Sequence, residues 1–499
     1  MSTLNTELSD ELFNFIQQTP LSNWQTPVQT DVYKLGHHYM YCEGGKNIMS
    51  YDEARLGARY LSTTVVGIQN ILKKHFVGKR VHNKQQLDMC QELVSKIMMG
   101  VDIFNYQMWE RILTHHNGML PLRICAVKEG SSIPINNVTM TVEATDNTIN
   151  PITKKGYFLP LVNHFETILT HQWGAQNVAT IAKYIYDQMK LYFDETVDED
   201  MHWLLPFMMH DFGYRGVMCN EQAAVAGLGH LALFNGTDTT AAIIEVIRMY
   251  GARDIPGMSV IASEHSVMTQ KLEVGEFSVL KHIIENTPDG VILSLVADSY
   301  DIVKFILEYL PKLEDIIKRK NLKVVIRPDS PRFKNDTAWG QVVWIAKELE
   351  KLFGSTTNNK GYKVLNPHFG IIYGDGIGPD DIIRTLAELK KAGFAASTCV
   401  FGMGGGLLQK HNRDTQRKAF KCSARETENG WEDVYKNPLD QTKASKRGRL
   451  ALIKENGIFN TIRQDQLNGR ENLLEPVFEN GVLLQDENWA DIVDRARNG

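Results

Sequence analysis

The stretch LKVVIRPDS, residues 322–330, decides the fold, because an apolar run ends abruptly in a cation, a proline and an acid. Leu322–Ile326 has the β-branched composition of a buried strand, and Arg327–Ser330 is a polar cluster at its end. The same order recurs along the chain in MSVIA then SEHS, VILSLV then ADSYD, and FGIIY then GDG, which begin at residues 258, 291 and 369. Each pair predicts a strand that leads into a polar loop.

Helix-length segments with 3.6-residue periodicity separate these strands, among them Thr239–Met249 and Ile302–Lys318. Strands that alternate with helices predict parallel βα units, and a (β/α) barrel collects its catalytic groups at the carboxyl ends of such strands. We therefore predict an α/β fold with a barrel-like domain at residues 171–412. The polar clusters should together form an active site.

The flanking regions have a different character. Helix patterns at Leu87–Met99 and Phe104–Thr114 mix with alternating strand patterns at Leu122–Val127 and Val138–Val142. We predict that residues 31–170 and 413–499 form one discontinuous α+β companion domain, preceded by a polar arm at residues 1–30. The segment GSTTNNK (354–360) is typical of a surface loop.

Composition narrows the class of protein. The 499 residues are 43% hydrophobic and 23% charged with a formal net charge of −5, which favours neither nucleic acid nor an anionic membrane as a partner. No apolar run is long enough to span a bilayer, and the N-terminus lacks the pattern of a secretory signal. Six cysteines without a CxxC pair favour reduced thiols, so we expect a cytoplasmic protein.

Glycines and cations point to phosphate binding. FGMGGG (401–406) follows a predicted strand and leads into a helix-compatible stretch, so its backbone N–H groups could hold an anion. Five lysines and arginines against one acid follow between Lys410 and Lys421. A charge run is usually solvated surface, and an isolated glycine turn usually holds no ligand. Together, and beside Gly374-Asp375-Gly376, they favour a sugar-phosphate or pyrophosphate site.

The remaining clusters carry acids, a histidine and aromatic rings. Four carboxylates are expected to converge on ribose hydroxyls or on Mg²⁺: Asp298, Asp301, Asp329 and Asp375. His265 is either a structural histidine or a nucleophile toward phosphate. Phe212 and Tyr214 beside Arg215 are either core residues or a platform for a flat heteroaromatic ring. Asp238 could accept a hydrogen bond from a ligand N–H group.

In this order the clusters closely resemble the nicotinamide phosphoribosyltransferase family, a group of type II phosphoribosyltransferases. The similarity runs from Asp31 to near the C-terminus. It rests on HDFGYRG (210–216), GTDT (236–239), EHS (264–266), ADSYD (297–301), RPDS (327–330), GDG (374–376), GGGLLQK (404–410), FKCS (420–423) and RGRL (447–450). The resemblance implies a homodimer with sites at the interface. It also implies transfer of phosphoribosyl from phosphoribosyl pyrophosphate to nicotinamide, with Mg²⁺ as cofactor and ATP as co-substrate.

The resemblance also implies residue roles. Nicotinamide would contact Phe212, Asp238, Arg327, Ser294 and, from the other subunit, Tyr33. Phosphoribosyl and pyrophosphate groups would contact Arg215, Arg55, Asp329, Gly374, Asp375, Gly404, Gly405, Arg413 and Lys421. ATP would phosphorylate His265, with Lys436 and Lys443 on the phosphates. His265, Asp329, Arg327 and Asp238 would form the catalytic set, and Mg²⁺ would be held mainly by substrate phosphates with Asp298 and Asp329 as candidate ligands.

Three other functions compete with this interpretation. Nicotinate phosphoribosyltransferase performs the same chemistry on an acid, which the carboxylate of Asp238 would repel. A non-catalytic regulatory protein on the same scaffold would not need His265, Asp329 and the set of cations. An aldolase-like barrel would need a Schiff-base lysine at a strand end, and the predicted strand ends carry none.

Overall fold

The structure is a computed structural model that describes residues 7–20, 25–439 and 444–499. The chain forms two compact units. The discontinuous unit runs up to Asn177 and resumes at Asn412–Gly499, and the central unit is Val178–His411. The functional division into a polar arm, a companion domain and a catalytic domain stays a prediction.

The N-terminal part of the discontinuous unit mixes helices and strands. Its helices are α1 (Asp10–Gln18), α2 (His37–Met40), α3 (Ile68–His75), α4 (Lys84–Ile97), α5 (Tyr106–His115), α6 (Leu161–His164) and α7 (Glu166–Thr170). Its strands are β1 (Asn47–Ala54), β2 (Ser62–Thr64), β3 (Leu122–Ala126), β4 (Ser132–Pro134) and β5 (Val138–Ala144). Asparagine side chains cap α4 and α5, since Asn83 accepts from Gln86 N and Asn105 from Met108 N.

The central unit alternates strands and helices. Its helices are α8 (Trp173–Thr196), which begins before the unit boundary, α9 (Asn220–Leu231), α10 (Thr240–Tyr250), α11 (His265–Met268), α12 (Leu272–Asn286), α13 (Ile302–Lys304), α14 (Glu314–Arg319), α15 (Ala338–Phe353), α16 (Pro379–Lys391) and α17 (Gly405–Leu408). Its strands are β6 (Met209–Asp211), β7 (Gly236–Thr237), β8 (Ile261–Ala262), β9 (Ile292–Val296), β10 (Lys323–Arg327), β11 (Ser355–Thr357), β12 (Lys363–Leu365), β13 (Phe369–Tyr373) and β14 (Cys399–Met403).

The C-terminal part returns to the discontinuous unit with strands β15 (Lys418–Thr427), β16 (Gly430–Asp433), β17 (Leu450–Glu455), β18 (Ile458–Arg463), β19 (Glu475–Glu479) and β20 (Val482–Leu483), then helix α18 (Trp489–Asn498). The main sheet of this unit has the order β16-β15-β1-β5-β3-β19-β20, with antiparallel neighbours throughout. Strands from both ends of the sequence therefore share one sheet and one apolar core.

The predicted parallel βα arrangement is confirmed in the central unit. Seven strands lie in the order β7-β6-β14-β13-β10-β9-β8, and every neighbouring pair is parallel. The sheet is a half-barrel, and a single parallel bridge between Gly236 and Met258 links the segment before β8 to β7. Every residue of β13 is buried, as expected for a parallel strand with both faces covered.

Three local predictions need correction. The pattern at Met258–Ala262 forms a strand only at its last two residues. The long helix predicted at Ile302–Lys318 is broken into α13, a π-helical turn, a 3₁₀ turn that begins at Pro311, and α14, because proline has no N–H to continue the helix. GSTTNNK is not simply a loop, since β11 pairs with β12 in a hairpin.

Candidate active site

The carboxyl ends of the parallel strands bring the polar clusters of the central unit together. The segments that follow β6, β7, β8, β9, β10, β13 and β14 carry Phe212, Asp238, His265, Asp298, Asp329, Asp375 and Gly404, respectively. Because parallel strands present their carboxyl ends on one edge, the topology alone gathers these residues. The contacts described next show how closely they approach.

A ring platform lies at the end of β6. The Phe212 ring rests on two glycines, because an added Cβ would lie 2.0 Å from its Cε2 atom at Gly402 and 3.1 Å at Gly374. The Phe212 N–H donates to Met403 O at 2.9 Å, which fixes the backbone beside β14. Phe212 is half-buried, so the ring retains an accessible part. The glycines are needed because any side chain there would displace the ring.

Arg215 lies in the short 3₁₀ turn Tyr214–Gly216 that follows this ring and is exposed. A Cβ at Gly216 would lie 3.3 Å from the backbone of Gly405, so the turn packs against the glycine loop after β14. Gly404 and Gly405 stand at the N-terminal end of the very short helix α17. The structure thus places the turn that carries Arg215 beside the loop that the sequence predicts to hold phosphate.

Asp238 follows β7 and is exposed. Its carboxylate accepts a hydrogen bond from the Ser259 hydroxyl, and its N–H donates to Asp211 O at 2.9 Å. Ser294 lies on β9 and is buried. Arg327 lies on β10, the strand next to β9, and is half-buried. An acceptor carboxylate therefore stands one strand away from the Phe212 ring.

His265 lies between two carboxylates. Its Nε2 atom is 3.7 Å from Asp298 Oδ1, and its Nδ1 atom is 3.7 Å from Asp329 Oδ2. Asp298 is held in place, because its other oxygen accepts from Asp329 N at 3.0 Å and from the Ser330 hydroxyl. About half of the His265 side chain is exposed (48%), which leaves the ring open to a ligand.

Asp375 belongs to the same acidic group. Burial and the nearby charges of Asp329 and Asp298 raise the pKa of its carboxyl above the ordinary value. Asp301 does not join them, contrary to the prediction, because its carboxylate caps α13 by accepting from Val303 N and Lys304 N at 2.8 and 3.1 Å. An aspartate at a helix start satisfies the free N–H groups there, which explains its different role.

A separate set of cations forms in the discontinuous unit. Burial, and then the charges of Arg55, Lys436 and Arg413, lower the pKa of Lys421, so each of these three cations acts on Lys421. Lys421 of β15 pairs with Tyr51 of β1. β1 ends at Ala54, the residue before Arg55. Among the described residues, the buried Nε atom of Arg55 has no hydrogen-bond partner, so it can donate to an anion. Lys443 lies outside the described residues.

Tyr33 lies in the same unit, in a 3₁₀ segment at Val32–Gly36, and is 64% exposed. The next residue, Lys34, is buried and donates to Glu166 Oε2 at 2.9 Å. The charge of Glu166 also raises the pKa of Lys421 against the larger opposing effect of burial. Glu166 therefore connects the Tyr33 segment electrostatically with the cation set.

Two residues that the sequence analysis missed hold this region together. Glu166 is one, and Gln416 is the other: it is fully buried, accepts from Tyr60 N at 2.9 Å, and donates to Ser62 O at 3.1 Å and Thr63 Oγ1 at 3.0 Å. Gln416 thereby ties the chain after Arg55 to the segment that carries Arg413. A glutamine within a polar run carries no sequence signal for such a role.

Within the described ranges, no group of three or more His, Cys, Asp or Glu side chains has an arrangement suited to a metal ion. In the same part of the chain, no helix has the length and apolarity needed to cross a membrane. The six cysteines are all free.

Curated relatives match nearly the whole chain. The nicotinamide phosphoribosyltransferase of Xanthomonas campestris pv. campestris (strain 8004) is 36% identical over 472 residues, which cover 92% of this chain and 95% of that protein. The nicotinamide phosphoribosyltransferase of Mycoplasma pneumoniae (strain ATCC 29342 / M129 / Subtype 1) is 32% identical and covers 84% of this chain and 94% of its own length.

Solved structures share the fold at low sequence identity. Nicotinate-nucleotide pyrophosphorylase from Pyrococcus furiosus superposes with a TM-score of 0.58 at 15% identity, covering 94% of each chain. Human nicotinic acid phosphoribosyltransferase gives a TM-score of 0.52 at 13% identity and covers 94% of this chain and 92% of its own.

Family models agree with the relatives. The model of the nicotinate phosphoribosyltransferase (NAPRTase) family matches residues 207–481, and the model of the nicotinamide phosphoribosyltransferase N-terminal domain matches residues 26–124. The first match covers more than half of the chain and includes every strand-end cluster described above. The chain therefore belongs to the nicotinate phosphoribosyltransferase family and carries the N-terminal domain of the nicotinamide phosphoribosyltransferases.

Proposed function

We propose that this chain transfers phosphoribosyl from phosphoribosyl pyrophosphate to nicotinamide, forming nicotinamide mononucleotide and pyrophosphate. The observation that carries the proposal is the Phe212 ring on its glycine floor with the carboxylate of Asp238 one strand away. A flat aromatic ring needs a flat apolar surface, and a carboxamide needs an acceptor for its N–H₂ group. The name of the relatives that match most of the chain supports the same substrate.

Nicotinamide would stack on Phe212, with Asp238 accepting from the amide and with Arg327 and Ser294 nearby. We propose a homodimer in which Tyr33 of one subunit covers the ring held by the other. The high exposure of Tyr33 in the single chain supports this role, because an exposed tyrosine is available to a second copy. Closed two-fold symmetry would then create two equivalent composite sites.

The phosphoribosyl group would lie between the acidic residues and the glycine loop. Asp329, Asp375 and Gly374 would hold the ribose, and Gly404, Gly405 and Arg413 would hold its 5′-phosphate. Arg215, with Arg55 and Lys421 of the partner subunit, would bind pyrophosphate. The charge of Arg55 near Lys421 supports placing both on pyrophosphate, since one pyrophosphate neutralises several cations at once.

The chemistry requires positioning more than proton transfer. The pyridine nitrogen attacks C1 of the ribose with its own lone pair while the bond from C1 to pyrophosphate breaks, so no base must remove a proton. The contribution of the protein is to align ring and ribose and to stabilise the leaving charge. Mg²⁺ would be held mainly by the substrate phosphates, with Asp298 and Asp329 as candidate protein ligands, and would neutralise part of that charge.

We propose that ATP stimulates the reaction through His265. A ring nitrogen of His265 would attack the γ-phosphorus of ATP, release ADP and form a phosphohistidine that water later hydrolyses. The two flanking carboxylates at 3.7 Å support this role, since they would orient the imidazole and stabilise the positive charge that develops on the ring as the N–P bond forms. Lys436 and Lys443 would contact the phosphates of ATP.

The test is an assay of nicotinamide and nicotinate with phosphoribosyl pyrophosphate and Mg²⁺, each with and without ATP. We expect nicotinamide mononucleotide from nicotinamide, faster with ATP, and little product from nicotinate. The His265→Ala variant should lose ATP hydrolysis and ATP stimulation but retain slow synthesis. Preference for nicotinate would contradict the substrate, and phosphorylation of another residue, seen by mass spectrometry, would contradict the role of His265.

Nicotinate is the competing substrate, because the family model and human nicotinic acid phosphoribosyltransferase are named for it. The carboxylate of Asp238 argues against nicotinate, since two negative charges would face each other. A non-catalytic role on the same scaffold predicts no turnover of either base, so the same assay excludes or supports it.

A further inference from the structure

Asp211 is a buried carboxylate to which the proposed chemistry gives no role. It ends β6, is 0% exposed and lies directly before the Phe212 ring. A buried carboxylate is unfavourable unless hydrogen bonds compensate for the loss of water. Its surroundings therefore indicate what it holds in place.

The Asp211 carboxylate fixes the turn that carries the ring. Its Oδ1 atom accepts from Gly213 N at 2.7 Å, one residue beyond Phe212. The Phe212 N–H itself donates to Met403 O at 2.9 Å, so the backbone is tied on both sides of the ring. Gly213 O then accepts from Gly216 N at 2.8 Å, which closes the turn that holds Arg215.

Asp211 also holds the loop after β7. Its backbone carbonyl accepts from Asp238 N at 2.9 Å. Its Oδ2 atom faces the neighbouring helices, because a Cβ at Gly227 of α9 would lie 3.3 Å from it. One residue thus contacts both chain segments that the proposed function uses for nicotinamide.

We infer that Asp211 is a positioning residue for nicotinamide: its carboxylate fixes the turn that presents Phe212. This inference rests on the proposed function. It assigns Asp211 no contact with substrate and no proton transfer.

The first test compares Asp211→Ala with Asp211→Asn. Alanine leaves the buried Gly213 N–H without an acceptor, so the KM for nicotinamide should rise about tenfold or more. Asparagine keeps an acceptor oxygen, so at pH 8 the KM should stay within about threefold of the parent. A matched control is Glu276→Gln on α12, another buried carboxyl with a pKa raised chiefly by burial, which should leave the KM unchanged.

The second test is a double-mutant cycle with Phe212→Ala. If Asp211 acts through the ring, adding Asp211→Ala to Phe212→Ala should increase the KM for nicotinamide less than about twofold further. If Asp211→Ala only damaged the structure, it would raise the KM for nicotinamide by the same factor in the parent and in Phe212→Ala. Full additivity, a parent-like KM in Asp211→Ala, or an equal rise in Glu276→Gln would each overturn the inference.

The third test uses pH and does not depend on the alanine variant folding. Burial, with a smaller effect from the charge of Asp238, raises the pKa of Asp211 to about 6. Below that pH the neutral carboxyl is a weaker acceptor for Gly213 N–H, so nicotinamide binding by the parent should weaken. This acid limb should be absent from Asp211→Asn, and an identical pH profile in parent and variant would overturn the inference.

The outcomes separate the two proposals. A parent protein that makes no nicotinamide mononucleotide refutes the proposed function, whatever the variants do. An active parent with unaffected Asp211 variants refutes only the role assigned to Asp211.

Discussion

At the scale of single residues, Asp238 should decide between an amide and an acid substrate. Its exposed carboxylate accepts from the Ser259 hydroxyl and is free to accept from a carboxamide as well. We expect Asp238→Ser to narrow the ratio of kcat/KM for nicotinamide over nicotinate by about tenfold or more, because a repulsive charge contact is removed.

The matched control is Ser259→Ala, which keeps the carboxylate and should keep the preference for nicotinamide. Steady-state kinetics with both bases at saturating phosphoribosyl pyrophosphate measure the ratio. An unchanged ratio in Asp238→Ser would show that another residue selects the amide.

Gly402 should be irreplaceable at the same scale. A Cβ there would lie 2.0 Å from the Phe212 ring, so alanine must push the ring out of its place. We expect Gly402→Ala to raise the KM for nicotinamide about tenfold or more, since a shift of about 1 Å in a site costs up to about a hundredfold. Gly174→Ala is the control, because no atom of the described residues outside its chain neighbours and its own helix backbone lies within 4 Å of its Cβ position. A parent-like KM for Gly402→Ala would mean that the position of the Phe212 ring does not determine nicotinamide binding.

At the scale of elements, β1 and β15 share a buried ion pair. Lys418 and Asp52 have fully buried side chains in contact, and Thr139 Oγ1 donates to the same aspartate oxygen at 2.6 Å. We expect Lys418→Met to lower the free energy of unfolding by about 3–5 kcal/mol, because it leaves a buried charge unpaired. Urea denaturation followed by circular dichroism measures the change.

The double variant Asp52→Leu/Lys418→Met tests the reason for that loss. Replacing both charges with apolar side chains removes the unpaired charge, so most of the lost stability should return. A double variant as unstable as Lys418→Met would mean that packing, and not the orphaned charge, explains the loss.

At the scale of the whole molecule, the proposed composite site is tested by subunit complementation. Tyr33 and Arg55 lie in the discontinuous unit, whereas Asp329 lies in the central unit. Inactive Tyr33→Ala/Arg55→Ala subunits are mixed with inactive Asp329→Ala subunits. If sites combine residues of two chains, each mixed dimer holds one site without a defect, and random exchange restores about a quarter of the sites.

Mass spectrometry of intact dimers verifies the subunit exchange, and activity is then measured with nicotinamide and phosphoribosyl pyrophosphate. No recovery of activity after verified exchange would mean that a single chain builds each site.

Local patterns were sufficient to predict three strands of the central sheet and their parallel βα alternation. The strands expected at Leu322–Ile326, Val291–Val296 and Phe369–Tyr373 appear as β10, β9 and β13 with shifts of at most one residue. Apolar β-branched runs that stop at polar turns express a backbone preference that each segment carries by itself. The parallel alternation then requires the strand-end loops to meet, so the grouping of His265 with Asp298 and Asp329 follows from the sequence.

Tertiary structure alone decided which polar residues became supports and which remained open to ligands. Asp301 caps a helix while Asp298 faces His265, although both belong to one short motif. Gln416, Glu166 and the buried pair of Lys418 with Asp52 find partners far away along the chain. The physical reason is that burial and hydrogen-bond partners depend on which distant segments meet, and a local pattern holds no information about them.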